Sequence, residues 1–188
     1  FLFESVIGGE KVGRFSFLGT EPFLRFEARG NRVRIERLDG TTTTTTSADP
    51  FRDLESVLSG YRSLTLPGLP RFTGGAVGYA AYDAVRYVER LPDAPPDDRG
   101  LPDLSFALYD RMVIFDHIRK TVLVVAHALL EPGGDPRDAY DVACDRVDEL
   151  VSRLAAPGPE LDLTDIDTDG PVRLAPRSNF SRERYEEV

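Results

Sequence analysis

FTGGAVGYAAYD, at residues 72–83, combines the apolar character of a buried strand with three glycines. Glycine in a strand interior costs about 0.5–1 kcal/mol relative to alanine. Gly74, Gly75 and Gly78 are therefore expected to mark bulges, or points where another segment approaches the backbone closely. Strands of this kind often line an interface or a ligand, and a sharply bent core strand is the structural alternative.

The segments around this stretch predict an α+β fold with a large, mostly antiparallel sheet. Four of them alternate apolar and polar residues in the manner of strands: 1–6, 14–18, 23–27 and 32–37. Gly30 and Asn31 predict a two-residue hairpin turn between the last two. Two longer segments, 104–115 and 121–129, contain the runs MVIF and VLVVA, which are apolar enough to be buried on both faces. They are predicted to form the centre of the sheet.

Two helices are predicted to pack on this sheet. Asp49 and Asp135 each precede a proline, which predicts an N-cap followed by proline in the first turn. The apolar residues of the first helix share one face: Leu54, Val57, Leu58 and Tyr61. The second helix is predicted to end at Pro157, and its apolar stripe is Ala139, Ala143, Val147, Leu150, Val151 and Leu154. A short helix from Asp83 is predicted between them, with Val85, Val88 and Leu91 as its apolar residues.

Composition narrows the class of protein. A chain of 188 residues with 41% hydrophobic content can bury one sizeable core, and no segment approaches the roughly 20 apolar residues of a membrane span. A net charge of −9 argues against a nucleic-acid partner, because such binding depends on a basic surface. The single cysteine, Cys144, leaves no internal disulfide and is expected to be a packed thiol in a reducing cytoplasm.

Within these residues the sequence predicts neither a catalytic set nor a metal site. The two histidines, His117 and His127, lack metal ligands at a suitable spacing and are expected to be structural. Glu4 and Ser5 are different, because a carboxylate and a hydroxyl interrupt an apolar strand. Such a pair can bind the ammonium and carboxylate groups of an amino acid. A polar pair on an edge strand is the alternative.

The two ends of the sequence are typical of a piece of a larger protein. It begins with FLFESV, inside a predicted strand and without the pattern of a signal peptide. Ser181 is predicted to cap a helix, with Glu183 in its first turn, that is cut after two turns. Residues 157–177 are rich in Asp, Pro and Gly and predict an interdomain linker. We therefore expect one domain at 1–156 and the start of a second at 178–188.

Several of these segments, in this order, resemble the N-terminal domain of anthranilate synthase component I, the large subunit of the enzyme that makes anthranilate from chorismate. The matching stretches are FLFESVIGGEKVGRFSFLG at 1–19, FTGGAVGYAAYDAVRYVERLP at 72–92, LPDLSFALY at 101–109 and SNFSRERYEEV at 178–188. The last resembles the opening of the chorismate-binding domain of that family. The resemblance covers essentially the whole chain.

The resemblance implies that the catalytic residues and a Mg²⁺ site lie in the C-terminal chorismate-binding domain. No catalytic residue, metal ligand or cofactor is therefore assigned to this fragment, which is expected to be inactive alone. The resemblance also implies that the N-terminal domain contributes to a site for feedback inhibition by L-tryptophan, through a Leu-Leu-Glu-Ser segment. Here that segment is Leu2-Phe3-Glu4-Ser5, so Glu4 and Ser5 carry the role, while Phe3 replaces a leucine. Arg14 is a further candidate.

The expected partners are the C-terminal domain of the same chain and a glutamine amidotransferase subunit, in the cytoplasm. The glycine-rich strand is expected at the surface that meets that C-terminal domain. Two alternatives stay open. One is the equivalent domain of aminodeoxychorismate synthase component I, a sister enzyme of the folate pathway. The other is a non-catalytic amino-acid-binding module that keeps the fold without the chemistry.

Overall fold

The structure is a computed structural model that describes residues 1–4, 13–158, 170 and 177–187. It divides into two compact units, 1–156 and 157–188, and each is described by itself. Most of the predicted linker lies outside the described residues, so the assignment of 157–177 as a linker stays a prediction. In the described part of the chain, no helix combines the length and the apolar character needed to cross a membrane.

The first unit contains nine strands, two α-helices and one 3₁₀-helix in its described residues. The strands are β1 (Leu2–Phe3), β2 (Phe15–Leu18), β3 (Leu24–Arg29), β4 (Arg32–Arg37), β5 (Thr42–Thr46), β6 (Gly75–Ala80), β7 (Leu104–Tyr109), β8 (Arg111–Asp116) and β9 (Thr121–Ala126). The helices are α1 (Pro50–Ser59), the 3₁₀-helix (Tyr82–Tyr87) and α2 (Pro136–Ala155). The second unit contains α3 (Arg182–Glu186), which the hydroxyl of Ser181 caps as predicted.

The strands form two antiparallel sheets, which confirms the α+β class. One sheet has the order β1-β2-β8-β9 and the other has the order β5-β4-β3-β7-β6. The prediction of a single large sheet with one continuous central strand at 104–115 was wrong. That strand breaks at Asp110, so β7 pairs with β3 and β6 while β8 pairs with β2 and β9. Asp110 is buried and makes an ion pair with Arg146, a tertiary contact that apolar periodicity does not reveal.

The main core lies on the five-stranded sheet, under α1. It is a cluster of buried side chains from β3, β4, β7, α1 and the 3₁₀-helix: Leu24, Phe26, Ala28, Val33, Leu54, Ala84, Leu104 and Leu108. Helix α1 begins as predicted, because Asp49 accepts a hydrogen bond from the backbone of Arg52 at 3.1 Å. Leu54 is buried and Val57 packs against the core cluster, in agreement with the predicted face, but Leu58 and Tyr61 are exposed.

The second long helix packs on β8 and β9 of the four-stranded sheet. Its N-cap is confirmed, because the carboxylate of Asp135 accepts from the backbone of Arg137 at 2.8 Å. Ala143 and Leu150 are buried, in agreement with the predicted stripe. Val151 and Leu154 are about half exposed, however, so the last turns of the helix bury less of the predicted stripe.

The predicted helix after Asp83 is a 3₁₀-helix with a different buried face. Ala84 is buried and Tyr87 packs against the core cluster, whereas Val88 is 70% exposed. A 3₁₀-helix has three residues per turn, so residues three apart share a face. Ala84 and Tyr87 are three apart and share the buried side, and Val88, the next residue, falls on the exposed side.

Candidate functional site

A cavity of about 500 Å³ lies in the first unit and is lined by strands of both sheets. Five phenylalanine side chains supply most of its wall: Phe3, Phe15, Phe17, Phe72 and Phe106. Ala76, Val77 and Gly78 of β6 complete the apolar part. Glu4, directly after β1, is the one charged residue among the described residues that line it. The described wall therefore offers a large apolar surface with one carboxylate.

Ring contacts join the two sides of this cavity. Phe72, just before β6, meets Phe17 of β2 edge to face with ring centres 5.5 Å apart. Phe17 also lies 5.9 Å from the ring of Phe15 on the same strand. Edge-to-face and tilted aromatic pairs at such distances are favourable. The wall is consequently a connected aromatic cluster that spans the two sheets.

Two glycines of the 72–83 stretch, Gly74 and Gly78, serve close packing as predicted, whereas Gly75 has a positive φ of 126° and room for a Cβ. A Cβ at Gly78 would lie 2.0 Å from the carbonyl oxygen of Ser105 on the neighbouring β7, a distance that no real contact allows. A Cβ at Gly74 would lie 2.9 Å from the ring of His127. Strand β6 is an edge strand and its surface is largely exposed, so the predicted contact with a following domain stays a prediction.

Of the residues assigned from the sequence to effector binding, the structure brings Glu4 to this cavity. Glu4 is exposed and lies where β1 ends. Ser5, the next residue, lies outside the described residues. An apolar wall can hold a flat ring, and a carboxylate can bind an ammonium group. Together they suit an amphipathic amino acid.

Arg14 lies in a neighbouring depression instead. Its guanidinium donates to both carboxylate oxygens of Asp116, with Nη2 to Oδ2 at 2.7 Å and Nε to Oδ1 at 3.2 Å. The hydrogen bonds from Arg14 and from the backbone amides of Arg119 and Ile118 hold the pKa of Asp116 well below its usual range. Arg14 lines a second cavity, of about 370 Å³, and Phe15 lines both cavities. The assignment of Arg14 to effector binding stays a prediction.

Sequence reasoning missed most of the cavity wall. Phe17, Phe72 and Phe106 come from three distant segments and none was assigned to a site. One signal was available, since Phe72 opens the glycine-rich stretch that was singled out as unusual. Phe106 is in register with Gly78 across β6 and β7, a pairing that strand alternation alone does not specify.

The two histidines have hydrogen-bond partners of a structural kind. His127 Nε2 donates to the carbonyl oxygen of Thr73 at 2.9 Å, next to the packing contact with Gly74. His117 Nε2 and the hydroxyl of Ser16 are 2.7 Å apart. The structural role predicted for these two histidines is supported by these contacts. Within the described ranges, no group of three or more His, Cys, Asp or Glu side chains is placed to hold a metal ion.

The chain matches the family of chorismate binding enzymes over residues 7–187. It is 37% identical over 193 residues to anthranilate synthase component 1 of Acetivibrio thermocellus, a match that covers 98% of this chain and 37% of the relative. The corresponding protein of Pseudomonas aeruginosa is 38% identical, with 99% of this chain and 37% of the relative covered. This chain thus spans little more than a third of the length of these relatives.

A solved structure shows the same similarity. The crystal structure of anthranilate synthase component I from Streptococcus pneumoniae TIGR4 superposes with a TM-score of 0.62 and 26% identity, covering 85% of this chain and 34% of that one. The resemblance seen in the sequence, which rested on the glycine-rich strand and the segment around Glu4, is confirmed. The chain belongs to the family of chorismate binding enzymes, and its fold is similar to a part of anthranilate synthase component I.

Proposed function

We propose that the chain is the N-terminal regulatory domain of an anthranilate synthase large subunit. The whole enzyme would convert chorismate and ammonia, supplied from glutamine, to anthranilate and pyruvate in tryptophan biosynthesis. Both relatives are named anthranilate synthase component 1, which supports this enzymatic activity. The chain spans only 37% of the length of either relative, which supports the presence of a further domain in the whole enzyme. The catalytic residues and a Mg²⁺ site would belong to that further domain. A glutamine amidotransferase subunit would be the partner, in the cytoplasm.

The observation that carries the regulatory role is the position of Glu4 at a cavity walled by phenylalanines. L-Tryptophan combines an indole ring with an α-ammonium and an α-carboxylate group. The rings of Phe17 and Phe72 offer an apolar surface for the indole, and Glu4 offers a negative charge for the ammonium group. A volume of about 500 Å³ lies within the usual range of small-molecule sites, roughly 300–1,000 Å³. The hydroxyl of Ser5 would complete the polar contacts that Glu4 makes to tryptophan.

Inhibition would follow from a difference in affinity between two arrangements of the enzyme. A ligand shifts a conformational equilibrium only when it binds one state more tightly than the other. Strand β6 supplies Ala76, Val77 and Gly78 to the cavity wall and is also an edge strand. Tryptophan bound at this wall would favour one placement of β6 against the following domain, and chorismate would bind poorly to the enzyme in that placement. Chorismate would in turn weaken tryptophan binding by the same factor.

The test uses the full-length enzyme, with chorismate, ammonium and Mg²⁺, and follows anthranilate by its fluorescence. Glu4→Gln preserves the shape of the side chain and removes its charge. The tryptophan concentration for half inhibition should rise at least about tenfold, because a hydrogen bond to a charged group contributes about 1.5–3 kcal/mol. Glu55→Gln, on the exposed face of α1, is the matched control and should leave inhibition unchanged.

A second ligand makes the test specific for the ammonium contact. Indole-3-propionate lacks the α-ammonium group, so it should inhibit the wild-type enzyme poorly and should not distinguish Glu4→Gln from wild type. Equal inhibition of Glu4→Gln and wild type by tryptophan would refute the regulatory site. Formation of aminodeoxychorismate in place of anthranilate and pyruvate would assign the chain to the sister enzyme instead.

A further inference from the structure

The second cavity of the first unit carries a concentration of positive charge. Its volume is about 370 Å³, and it lies where the start of β2, the segment before Phe72 and the hairpin between β8 and β9 meet. Each of these three segments contributes one arginine, namely Arg14, Arg71 and Arg119. This arrangement stands out in a protein whose net charge is −9.

The one acidic residue among the described residues of this cavity is already compensated. Asp116 is buried, and its carboxylate accepts hydrogen bonds from Nε and Nη2 of Arg14 and from the backbone amides of Ile118 and Arg119. Three arginines face a single aspartate, which leaves a net of two positive charges among the described lining residues. Arg71 and Arg119 are exposed and supply that excess. The electrostatic preference of the cavity is therefore for an anion.

The other half of the cavity is apolar. Phe15 lies under the guanidinium of Arg14, with 4.7 Å between the central carbon of the guanidinium and the ring centre. Leu69 and Leu123 add aliphatic surface. A small inorganic anion would leave this surface unused. A ligand with an acidic group at one end and a flat or aliphatic body at the other would use both halves.

We propose that this second cavity binds a small organic carboxylate with an apolar body, whose carboxylate lies between Arg71 and Arg119 and whose body packs on Phe15 and Leu123. The planar guanidinium of arginine matches the two oxygens of a carboxylate. The assignment does not depend on the proposed regulatory role of the first cavity, because neither Arg71 nor Arg119 lines that cavity.

The test titrates the 188-residue chain with 4-fluorobenzoate and follows binding by fluorine NMR. The uncharged analogue 4-fluorobenzamide has nearly the same shape and serves as the ligand control, and inorganic phosphate is a competitor that carries charge without an apolar body. We expect 4-fluorobenzoate to bind at least tenfold more tightly than 4-fluorobenzamide. Raising the salt concentration from 20 mM to 500 mM should weaken its binding at least threefold, since salt screens exposed charges.

Two variants locate the site. Arg71→Gln and Arg119→Gln should each raise the dissociation constant of 4-fluorobenzoate about threefold to fivefold, in line with the small contribution of exposed ion pairs. Arg90→Gln, an exposed arginine outside both cavities, is the matched control and should bind like wild type. Circular dichroism verifies that all three retain the wild-type fold, which is expected at exposed positions.

Each contrary outcome overturns the proposal. Equal binding of the benzoate and the benzamide would mean that the arginines do not select an anion. Competition by inorganic phosphate at the affinity of the benzoate would mean that the apolar half plays no part. Wild-type affinity in both arginine variants would mean that this cavity is not the site. The absence of binding at a 4-fluorobenzoate concentration of 50 mM would mean the same.

Discussion

Arg146 of α2 donates a hydrogen bond to the buried carboxylate of Asp110 over 2.5 Å, at the residue where the chain leaves one sheet and enters the other. The carbonyl oxygen of Asp110 also accepts from the backbone amide of His127, just after β9. The pair therefore anchors α2 to the junction between β7 and β8. Asp110 is the single residue between these two strands.

Removing the arginine of this pair should destabilise the protein strongly. Arg146→Leu leaves the Asp110 carboxylate buried without its counterion, so we expect a loss of about 3–5 kcal/mol in the free energy of unfolding. Urea denaturation measures this loss. Arg137→Leu removes an exposed ion pair with Asp141 on the same helix and should cost less than about 1 kcal/mol. Similar losses in the two variants would contradict the anchoring role of Asp110.

Gly78→Ala should disturb the pairing of β6 with β7. The added Cβ would lie 2.0 Å from the carbonyl oxygen of Ser105, so the strands must separate. Overpacking of this kind costs about 1–3 kcal/mol, to be measured by urea denaturation. Gly158→Ala is the control, because its Cβ would meet nothing within 4 Å. An unchanged unfolding midpoint in Gly78→Ala would show that the close approach is not required.

Ser5→Phe should release the full-length enzyme from tryptophan. A phenyl group beside Glu4 would obstruct the polar end of the proposed tryptophan site. The substitution would also remove a hydroxyl that hydrogen-bonds the charged ligand. The loss of about 1.5–3 kcal/mol raises the tryptophan concentration for half inhibition at least about tenfold. Steady-state turnover of chorismate without tryptophan should change little. Ser63→Phe, in an exposed segment, is the control. A loss of basal activity in Ser5→Phe as large as its loss of tryptophan inhibition would assign Ser5 a structural role instead.

The 188-residue chain by itself should form no anthranilate from chorismate and ammonia. The proposed function places the metal and substrate groups in a further domain of the enzyme. The measurement is the fluorescence of new anthranilate in the presence of Mg²⁺, with the full-length enzyme as the positive control. Magnesium-dependent fluorescence from the 188-residue chain would contradict the proposal that the catalytic groups lie in the further domain.

The ion pair of Asp116 and Arg14 predicts a pH dependence. The pKa of Asp116 is lower in the folded state than in the unfolded chain, where aspartate titrates near pH 4. Its contribution to stability is therefore complete above about pH 4 and declines as the pH falls below that value. Asp116→Asn should be less stable than wild type at pH 7, and the difference should narrow below pH 4. Urea denaturation at pH 7, 5 and 3 measures it, and a constant difference would refute the assignment.

Local signals in the sequence were sufficient for the ends of several elements. Asp49 and Asp135 cap their helices as predicted, because an N-cap carboxylate reaches backbone amides of its own first turn. The hairpin at Gly30 and Asn31 was equally predictable. The effector segment at Glu4 came from family resemblance rather than from periodicity, and the structure places Glu4 at a cavity.

The sequence by itself determined several of the strands, among them β2, β3 and β4, and where Asp-Pro starts a helix, since these features depend on neighbours a few residues away. Only the tertiary structure decided that the strands divide into two sheets at Asp110, and that Phe17, Phe72 and Phe106 share one cavity wall. It also paired Arg14 with Asp116, 102 residues apart. Such contacts depend on register and sheet order, and these are set by packing energies summed over the whole fold rather than by any local pattern.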